Sequence, residues 1–305
     1  FNGEIKRLPA YITVANCREY GLSKESVEKC ASVNNYAIDY DVVTSEVDTV
    51  IPAGQTNRNN TYALIIGNQN YRFVSNVSYA IHDARVFAEY CKQTLGIPAS
   101  QVWVCEDATK QMILEDELER VKNIRNPENK RLIVYYAGHG VPDTKDKNKA
   151  YLLPTDVRGT HPARGISLDS LYNLLGALHF DRTSVFLDAC FSGADRNNEG
   201  LNDGLRAAVV VAEEGELNDG NVIVFSAAKG NETAQGYPEQ GHGLFTYYLL
   251  KALQNSKGEV LYGDLSTSLK QNVAKQAVQL KLRKEQTPTT NASESISESW
   301  KSMTF

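Results

Sequence analysis

The pattern of hydrophobic and polar positions divides the chain into an irregular beginning and a regular remainder. Residues 1–60 lack strong periodicity and end in a polar, turn-rich stretch over residues 51–60. Stretches of this composition are typical of turns and linkers. We therefore predict an N-terminal extension with its linker over residues 1–60, which could serve as a pro-segment, followed by a main domain over residues 61–305.

From residue 61 onward, short apolar runs alternate with longer amphipathic segments. The apolar runs predict buried strands over residues 62–67, 101–105, 131–136, 183–188 and 221–226. The amphipathic segments predict helices near residues 83–94, 110–124, 168–178, 243–253 and 262–279. Continuously apolar strands that alternate with helices are typical of a parallel sheet buried on both faces. The pattern predicts an α/β fold, a three-layer α/β/α sandwich.

Charge and hydropathy exclude two classes of partner. The formal net charge is −5, and the Lys and Arg residues are scattered along the chain. Because nucleic-acid binding needs a concentrated basic face, we expect no nucleic-acid partner. No apolar run reaches the roughly 18 residues that a membrane helix needs. We expect a soluble protein without a membrane span, either cytoplasmic or exported.

The five cysteines are an odd number and include no CxxC pair. This spacing disfavours both a zinc site and a full disulfide framework, so we predict no metal. Cys17 and Cys30 could pair with each other or remain two free thiols, depending on the compartment.

Candidate chemistry follows two of the predicted strands. The strand over 131–136 leads into His139, and the strand over 183–188 leads into Cys190. Carboxyl ends of parallel strands share one edge of a sheet, so the two side chains would meet there as a base and a nucleophile. The amides of Gly140 and Cys190 could face a developing oxyanion. The alternatives are a buried small hydrophobic residue for Cys190 and an ordinary turn residue for His139.

The segments around these residues resemble the motif blocks of the caspase-like cysteine peptidases, with Tyr-Tyr-Ala-Gly-His-Gly at 135–140 and Asp-Ala-Cys-Phe-Ser-Gly at 188–193. The resemblance extends through residues 64–68 with Tyr71, 82–84, 151–156 and 242–246. It is strongest with the bacterial homologues grouped with metacaspases and paracaspases. It implies a mainly parallel sheet of roughly six strands, a His139–Cys190 dyad, an oxyanion hole at Gly140 and Cys190, and a reaction without a cofactor.

The resemblance also implies a substrate preference. Asp83 and Asp188 match the acidic positions with which metacaspases and paracaspases bind a P1 Arg or Lys, and Glu232 matches a third acid of the paracaspases. Carboxylates pair well with a guanidinium. We predict protein or peptide substrates with P1 Arg, then Lys. Alternatively, Asp83 could cap the first helix, and Asp188 could hold a neighbouring loop.

A basic P1 preference predicts self-processing after a basic residue in an exposed loop. Residues 192–219 are polar and Gly-rich, as in a long functional loop, and Arg206 within them is the best candidate. Lys145, Lys147 and Lys149 are alternatives, although a solvated charged turn explains them as well. Only Asp169 and Asp195 stand near the positions of a metacaspase calcium site, and calcium takes six or more oxygens, which makes calcium dependence doubtful.

Two other functions compete with a peptidase. One is a catalytically inert or latent caspase-like domain that binds proteins, and the intact His139 and Cys190 argue against it. The other is a flavodoxin-like or phosphate-binding module, which the sequence disfavours because no Gly-rich loop follows the first strand. We expect the protein to be a monomer.

Overall fold

The computed structural model describes residues 43–143, 146, 149–191, 217, 220–229, 232–280 and 284–305. Its strands are β1 (Thr61–Gly67), β2 (Val102–Glu106), β3 (Arg131–Ala137), β4 (Gly140–Pro142), β5 (Ala150–Leu152), β6 (Ile166–Ser167), β7 (Arg182–Asp188), β8 (Val222–Ser226), β9 (Gly236–Tyr237), β10 (His242–Gly243) and β11 (Thr289–Ala292).

A six-stranded sheet in the order β11–β8–β7–β3–β1–β2 forms the centre of the fold. Five of its strands are parallel, and β11 pairs antiparallel with β8 at one edge. The prediction of a mainly parallel α/β sheet is confirmed, and each of the five predicted strands lies within one residue of an observed one. The sixth strand, β11, has the polar sequence Thr-Thr-Asn-Ala and gave no apolar signal.

Helices cover both faces of this sheet. They are α1 (Glu46–Thr49), α2 (Ala80–Glu89), α3 (Leu118–Lys122), α4 (Leu168–Ala177), α5 (Leu244–Ser256) and α6 (Tyr262–Ala277). π-Helical turns extend α2 through Tyr90–Thr94 and precede α3 over Met112–Glu117.

The sheet separates two hydrophobic cores because successive strand residues point to opposite faces. In β1, Ala63 and Ile65 pack with α2, α5 and α6, whereas Leu64 and Ile66 pack with α3 and α4. The three-layer sandwich is therefore confirmed. No helix within the described part of the chain is both long and apolar enough to span a bilayer.

The compact unit that carries the sheet begins at Ser45, within residues 1–60, for which we predict an extension and linker. Val47 of α1 is fully buried, and the guanidinium of Arg58 donates to the carbonyls of Leu95, Gly258 and Phe305 at 2.8, 3.1 and 2.9 Å. These partners are distant from Arg58 in sequence, so the composition of residues 51–60 gives no indication of these contacts. Residues 1–42, with Cys17 and Cys30, lie outside the described residues, and the predictions made for them stay predictions.

Candidate active site

His139 and Cys190 follow adjacent parallel strands at equal distances from the strand ends. The register of β3 and β7 pairs Ala137 with Asp188. His139 and Cys190 each lie two positions beyond this pair. The N–H of Gly138 donates to the carbonyl of Asp188 at 3.3 Å, so the segments that follow β3 and β7 remain in contact past the last paired position. Strand register thus places an imidazole and a thiol at the same edge of the sheet, on segments that follow neighbouring strands.

A backbone carbonyl fixes the orientation of the His139 ring. Nε2 lies 2.8 Å from the carbonyl oxygen of Ser75, and the ring packs on Tyr71 with the two centroids 4.6 Å apart. Because a carbonyl oxygen only accepts, Nε2 carries the proton in this contact. In the neutral ring, Nδ1 is then the acceptor, which is the form that can take a proton from a nearby acid.

Two buried tyrosine hydroxyls hold the backbone of the turn around His139. Tyr71 Oη accepts from the His139 N–H at 2.8 Å, and the Tyr136 hydroxyl shares its proton between the carbonyls of His139 and Leu153, at 2.9 and 3.0 Å. A Cβ at position 138 would come within 2.7 Å of Tyr71 Oη and 2.8 Å of Tyr136 Oη, so only Gly138 fits there. Burial raises the pKa of both tyrosines well above 10, so both hydroxyls stay protonated.

The thiol of Cys190 lies against the backbone of Ala234, which follows β8. Sγ accepts from the Ala234 N–H at 2.9 Å and is 3.4 Å from the Ala234 carbonyl oxygen. Cys190 is 5% exposed. Burial raises the pKa of the Cys105 thiol to about 11 and that of Cys91 further, so both of those thiols are uncharged near neutral pH.

Gly140 lies directly against the cysteine segment. A Cβ at this position would come within 2.4 Å of the Phe191 ring and 2.8 Å of the Cys190 carbonyl oxygen. The backbones of Gly140 and Cys190 are therefore in close contact. Two backbone N–H donors can share one oxyanion only if their chains approach in this way.

Asp188 is a fully buried acid two residues before Cys190. Its Oδ2 accepts from Thr246 Oγ1 at 2.6 Å, and Thr246 Oγ1 lies 2.6 Å from Tyr135 Oη. A hydroxyl has one hydrogen, so Tyr135 donates to Thr246, which donates to Asp188. The carboxylate is thus tied to helix α5.

Asp83 is also fully buried and bonds to the residues that lead into α5. Its Oδ1 lies 2.8 Å from His242 Nδ1, and its Oδ2 accepts from the Gly243 N–H at 3.0 Å. Helix α2 begins at Ala80 with no side-chain cap, so Asp83 is not the helix cap that was the alternative reading. Both predicted acids therefore bond to the short segment 242–246.

The caspase domain family matches residues 60–297, a span that includes both site strands and both buried acids. The chain belongs to this family. The caspase domain family comprises cysteine endopeptidases. No curated protein matches the sequence.

Solved structures share the caspase fold with this chain. Caspase-1 from Spodoptera frugiperda has a TM-score of 0.56 and 16% identity, over 84% of this chain and 94% of that chain. Protein GSU0716 from Geobacter sulfurreducens has a TM-score of 0.56 and 16% identity, over 80% of this chain and 97% of that chain. At this identity the likeness concerns the fold alone.

Three other predicted residues have contacts or positions that the structure describes. The partly buried Glu232 carboxylate accepts from the N–H and Oγ1 of Thr287, at 2.5 and 3.1 Å. Asp169 stands in the first turn of α4, and Lys149 pairs with Asp146 at 3.0 Å. Arg206, Lys145, Lys147 and Asp195 lie outside the described residues.

Sequence reasoning missed three contributors to the site. Ser75 and Ala234 act through their backbones, which any residue type supplies, so no sequence signal marks them. Thr246 acts through its side chain, and its segment was noticed only as part of the family resemblance.

Proposed function

We propose that this protein is a cysteine endopeptidase with a His139–Cys190 dyad. The observation that carries the proposal is the register of β3 and β7, which sets the two residues two positions beyond one strand pair. In the first step, Cys190 Sγ attacks the carbonyl carbon of the substrate while His139 Nδ1 takes the thiol proton. The N–H groups of Gly140 and Cys190 stabilise the charge that develops on the carbonyl oxygen.

The same imidazole completes the reaction. Protonated His139 gives its proton to the leaving amine, the C–N bond breaks, and a thioester remains on Cys190. Water then attacks the thioester, His139 accepts a proton from that water, and the cysteine sulfur leaves and is reprotonated. The Ser75 carbonyl, 2.8 Å from Nε2, stabilises the imidazolium in both steps.

We further propose that the substrates are proteins or peptides with Arg, then Lys, at P1. Asp188 is the principal acid because its carboxylate is fully buried and lies two residues before the proposed nucleophile. A carboxylate binds a guanidinium through two parallel hydrogen bonds, whereas an ammonium offers a single point charge, which favours Arg.

Asp83 has a supporting part in this preference. Burial opposes the charged form of His242, but hydrogen bonds and charges from Asp48 and Asp83 outweigh it and raise the pKa of His242 to about 9. His242 is then a cation at neutral pH and offsets part of the Asp83 charge. Glu232 has the least support, since Thr287 occupies both of its oxygens.

Self-cleavage after Arg206 follows from the same specificity. Residues 192–219 come directly after the cysteine segment, and a cut there would divide the chain into a part with Cys190 and a smaller part. We propose that the protein acts as a monomer and needs neither calcium nor another cofactor.

One observation favours a second candidate function, an inert or latent domain that binds proteins. The backbone of Ala234 contacts the thiol through both its N–H and its carbonyl, and Cys190 is 5% exposed. A substrate carbonyl can reach Sγ only if this contact opens. If it never opens, the caspase domain is a binding module.

Fluorogenic peptides that differ only at P1, as Arg, Lys, Asp or Asn, separate these candidates. We expect the native chain to hydrolyse the Arg peptide fastest and the Lys peptide next. Cys190→Ala and His139→Ala should abolish turnover, whereas Cys105→Ala, which removes a buried thiol in the other core, should not. Intact mass before and after incubation locates any self-cleavage. No turnover of any peptide by a folded chain would favour the binding module.

A further inference from the structure

Three side chains from separate parts of the chain meet beside Asp83. Asp48 Oδ1 of α1 lies 3.1 Å from His82 Nε2 of α2 and 3.0 Å from His242 Nε2 of β10. One potential ligand atom from each residue lies within 4.8 Å of the other two. In a tetrahedral zinc site with bonds of about 2.0–2.1 Å, neighbouring ligand atoms are separated by roughly 3.3 Å. Two of the contacts in this cluster are already close to that spacing.

Contacts behind the three ligand atoms orient them toward one another. His242 Nδ1 bonds to Asp83 Oδ1 at 2.8 Å, so its Nε2 faces the cluster. Asp48 Oδ2 accepts from the Ser45 N–H at 2.7 Å, which leaves Oδ1 toward the two imidazoles. A carboxylate behind a histidine ligand is the usual second partner of a metal-bound imidazole. Asp83 stands in that position.

The ligand set selects the class of ion. Two imidazole nitrogens and one carboxylate oxygen suit zinc and its neighbours in the first transition row, whereas calcium and magnesium prefer oxygen alone. The side chains of His242 and Asp48 are 0% and 8% exposed, whereas that of His82 is 25% exposed. The solvent-facing side of the cluster therefore gives an ion a path inward and leaves room for water as a fourth ligand.

We propose that Asp48, His82 and His242 form a binding site for a divalent transition-metal ion, zinc in the first instance. The ion replaces the protons that now bridge Asp48 to the two rings, and it ties α1 to α2 and to the segment that enters α5. The site does not depend on the proposed peptidase reaction, since none of its three ligands takes part in that reaction. The ligands are 34 and 160 residues apart in sequence and include no cysteine, which explains why the cysteine spacing did not indicate this site.

The test uses the full chain with Cys190→Ala, so that the catalytic thiol cannot hold the ion. Zn²⁺ is titrated by calorimetry, and Co²⁺ is added separately to read the visible absorption of a tetrahedral site. His82→Ala removes the most exposed ligand, and Asp48→Asn provides a second variant with a small change in shape. His161→Ala is the matched control, because His161 is an exposed imidazole outside the cluster.

We expect Zn²⁺ affinity to fall at least about tenfold in His82→Ala and in Asp48→Asn, and the Co²⁺ absorption to disappear, with no change in His161→Ala. Asp83→Asn should weaken binding by roughly 10–100-fold, as for other partners of metal-bound histidines. Circular dichroism establishes that each variant is folded. Absence of Zn²⁺ binding, or equal binding by the parent, His82→Ala and Asp48→Asn, would overturn the proposal.

Discussion

Tyr71 Oη accepts a hydrogen bond from the backbone N–H of His139 at 2.8 Å. Tyr71 comes from the loop after β1 and His139 from the turn after β3, so this bond links the ends of two adjacent strands. The same tyrosine ring packs on the imidazole, with the centroids 4.6 Å apart. One residue thus holds both the backbone and the ring of the proposed base.

Tyr71→Phe keeps the ring but removes the acceptor of the His139 N–H. Leaving a buried donor unpaired costs about 1–3 kcal/mol, and the loosened turn should also lower kcat for the P1 Arg peptide with little change in KM. Tyr90→Phe is the matched control, because Tyr90 is a buried tyrosine whose hydroxyl donates to Val47 at 2.9 Å in another part of the core. Denaturation and steady-state kinetics should show two destabilised variants, of which only Tyr71→Phe is slow. Equal kinetics for both would contradict this positioning role.

Asp188→Asn removes the charge of the principal proposed acid and keeps an oxygen that can accept from Thr246. A hydrogen bond to a charged group contributes about 1.5–3 kcal/mol, so kcat/KM for the P1 Arg peptide should fall roughly 10–150-fold. Glu232→Gln should have a much smaller effect, because Thr287 holds that carboxylate. Steady-state kinetics with the P1 Arg peptide measure kcat/KM for both variants. A larger fall in kcat/KM for Glu232→Gln than for Asp188→Asn would contradict the assignment of Asp188 as the principal acid.

The stability of the domain should depend on pH through His242. Its nitrogens lie 2.8 Å from Asp83 and 3.0 Å from Asp48. Burial opposes the cation, but the two acids prevail and raise the pKa of His242 from 6.5 to about 9. A raised pKa in the folded state stabilises the fold fully below the unfolded value, and this contribution is lost as the pH rises through about 9.

We therefore expect the free energy of unfolding, measured with EDTA present, to fall by on the order of 1–3 kcal/mol between about pH 6.5 and pH 9. Urea denaturation at several pH values gives this curve. The fall should be smaller in His242→Asn and in Asp48→Asn, in which one partner is missing. If the free energy of unfolding of the native protein rises over this pH range, or if both variants show the same fall as the native protein, His242 is not the group that titrates.

Cysteine alkylation should distinguish Cys190 from the other described thiols. At a pKa of about 11, Cys105 is ionised to on the order of one part in ten thousand at pH 7. We expect iodoacetamide to modify Cys190 before Cys91 and Cys105, and His139→Ala to slow that reaction. Peptide mapping by mass spectrometry measures each rate. Equal labelling of the three thiols would argue against an activated Cys190.

Much of the fold could be predicted because the central strands are apolar along their whole length. The runs that became β1, β3 and β7 are buried on both faces, and this leaves a strong signal in sequence. The edge strand β11 is only partly buried and has polar residues, so it leaves no hydrophobic signal in the sequence. Helix α1 was missed because its four residues are held by contacts with distant parts of the chain, such as the Tyr90 hydroxyl on the Val47 carbonyl.

The candidate site likewise has one part that the sequence predicts and another that it does not. Parallel strands end at one edge, so the placement of His139 and Cys190 at the same edge follows from sequence position alone. Ser75 and Ala234 contribute backbone atoms, and Asp48 approaches His242 across 194 residues of chain, so neither kind of contact leaves a local pattern.

The most direct test of the central claim is a covalent trap. The native chain is incubated with a peptidyl acyloxymethyl ketone that carries Arg at P1, and with its P1 Asp counterpart, and intact mass and peptide mapping locate the adduct. We expect one thioether adduct on Cys190 with the Arg reagent, little with the Asp reagent, and none in His139→Ala. An adduct only with the Asp reagent, or no adduct on Cys190 of the folded native chain, would contradict a His139–Cys190 peptidase that cleaves after basic residues.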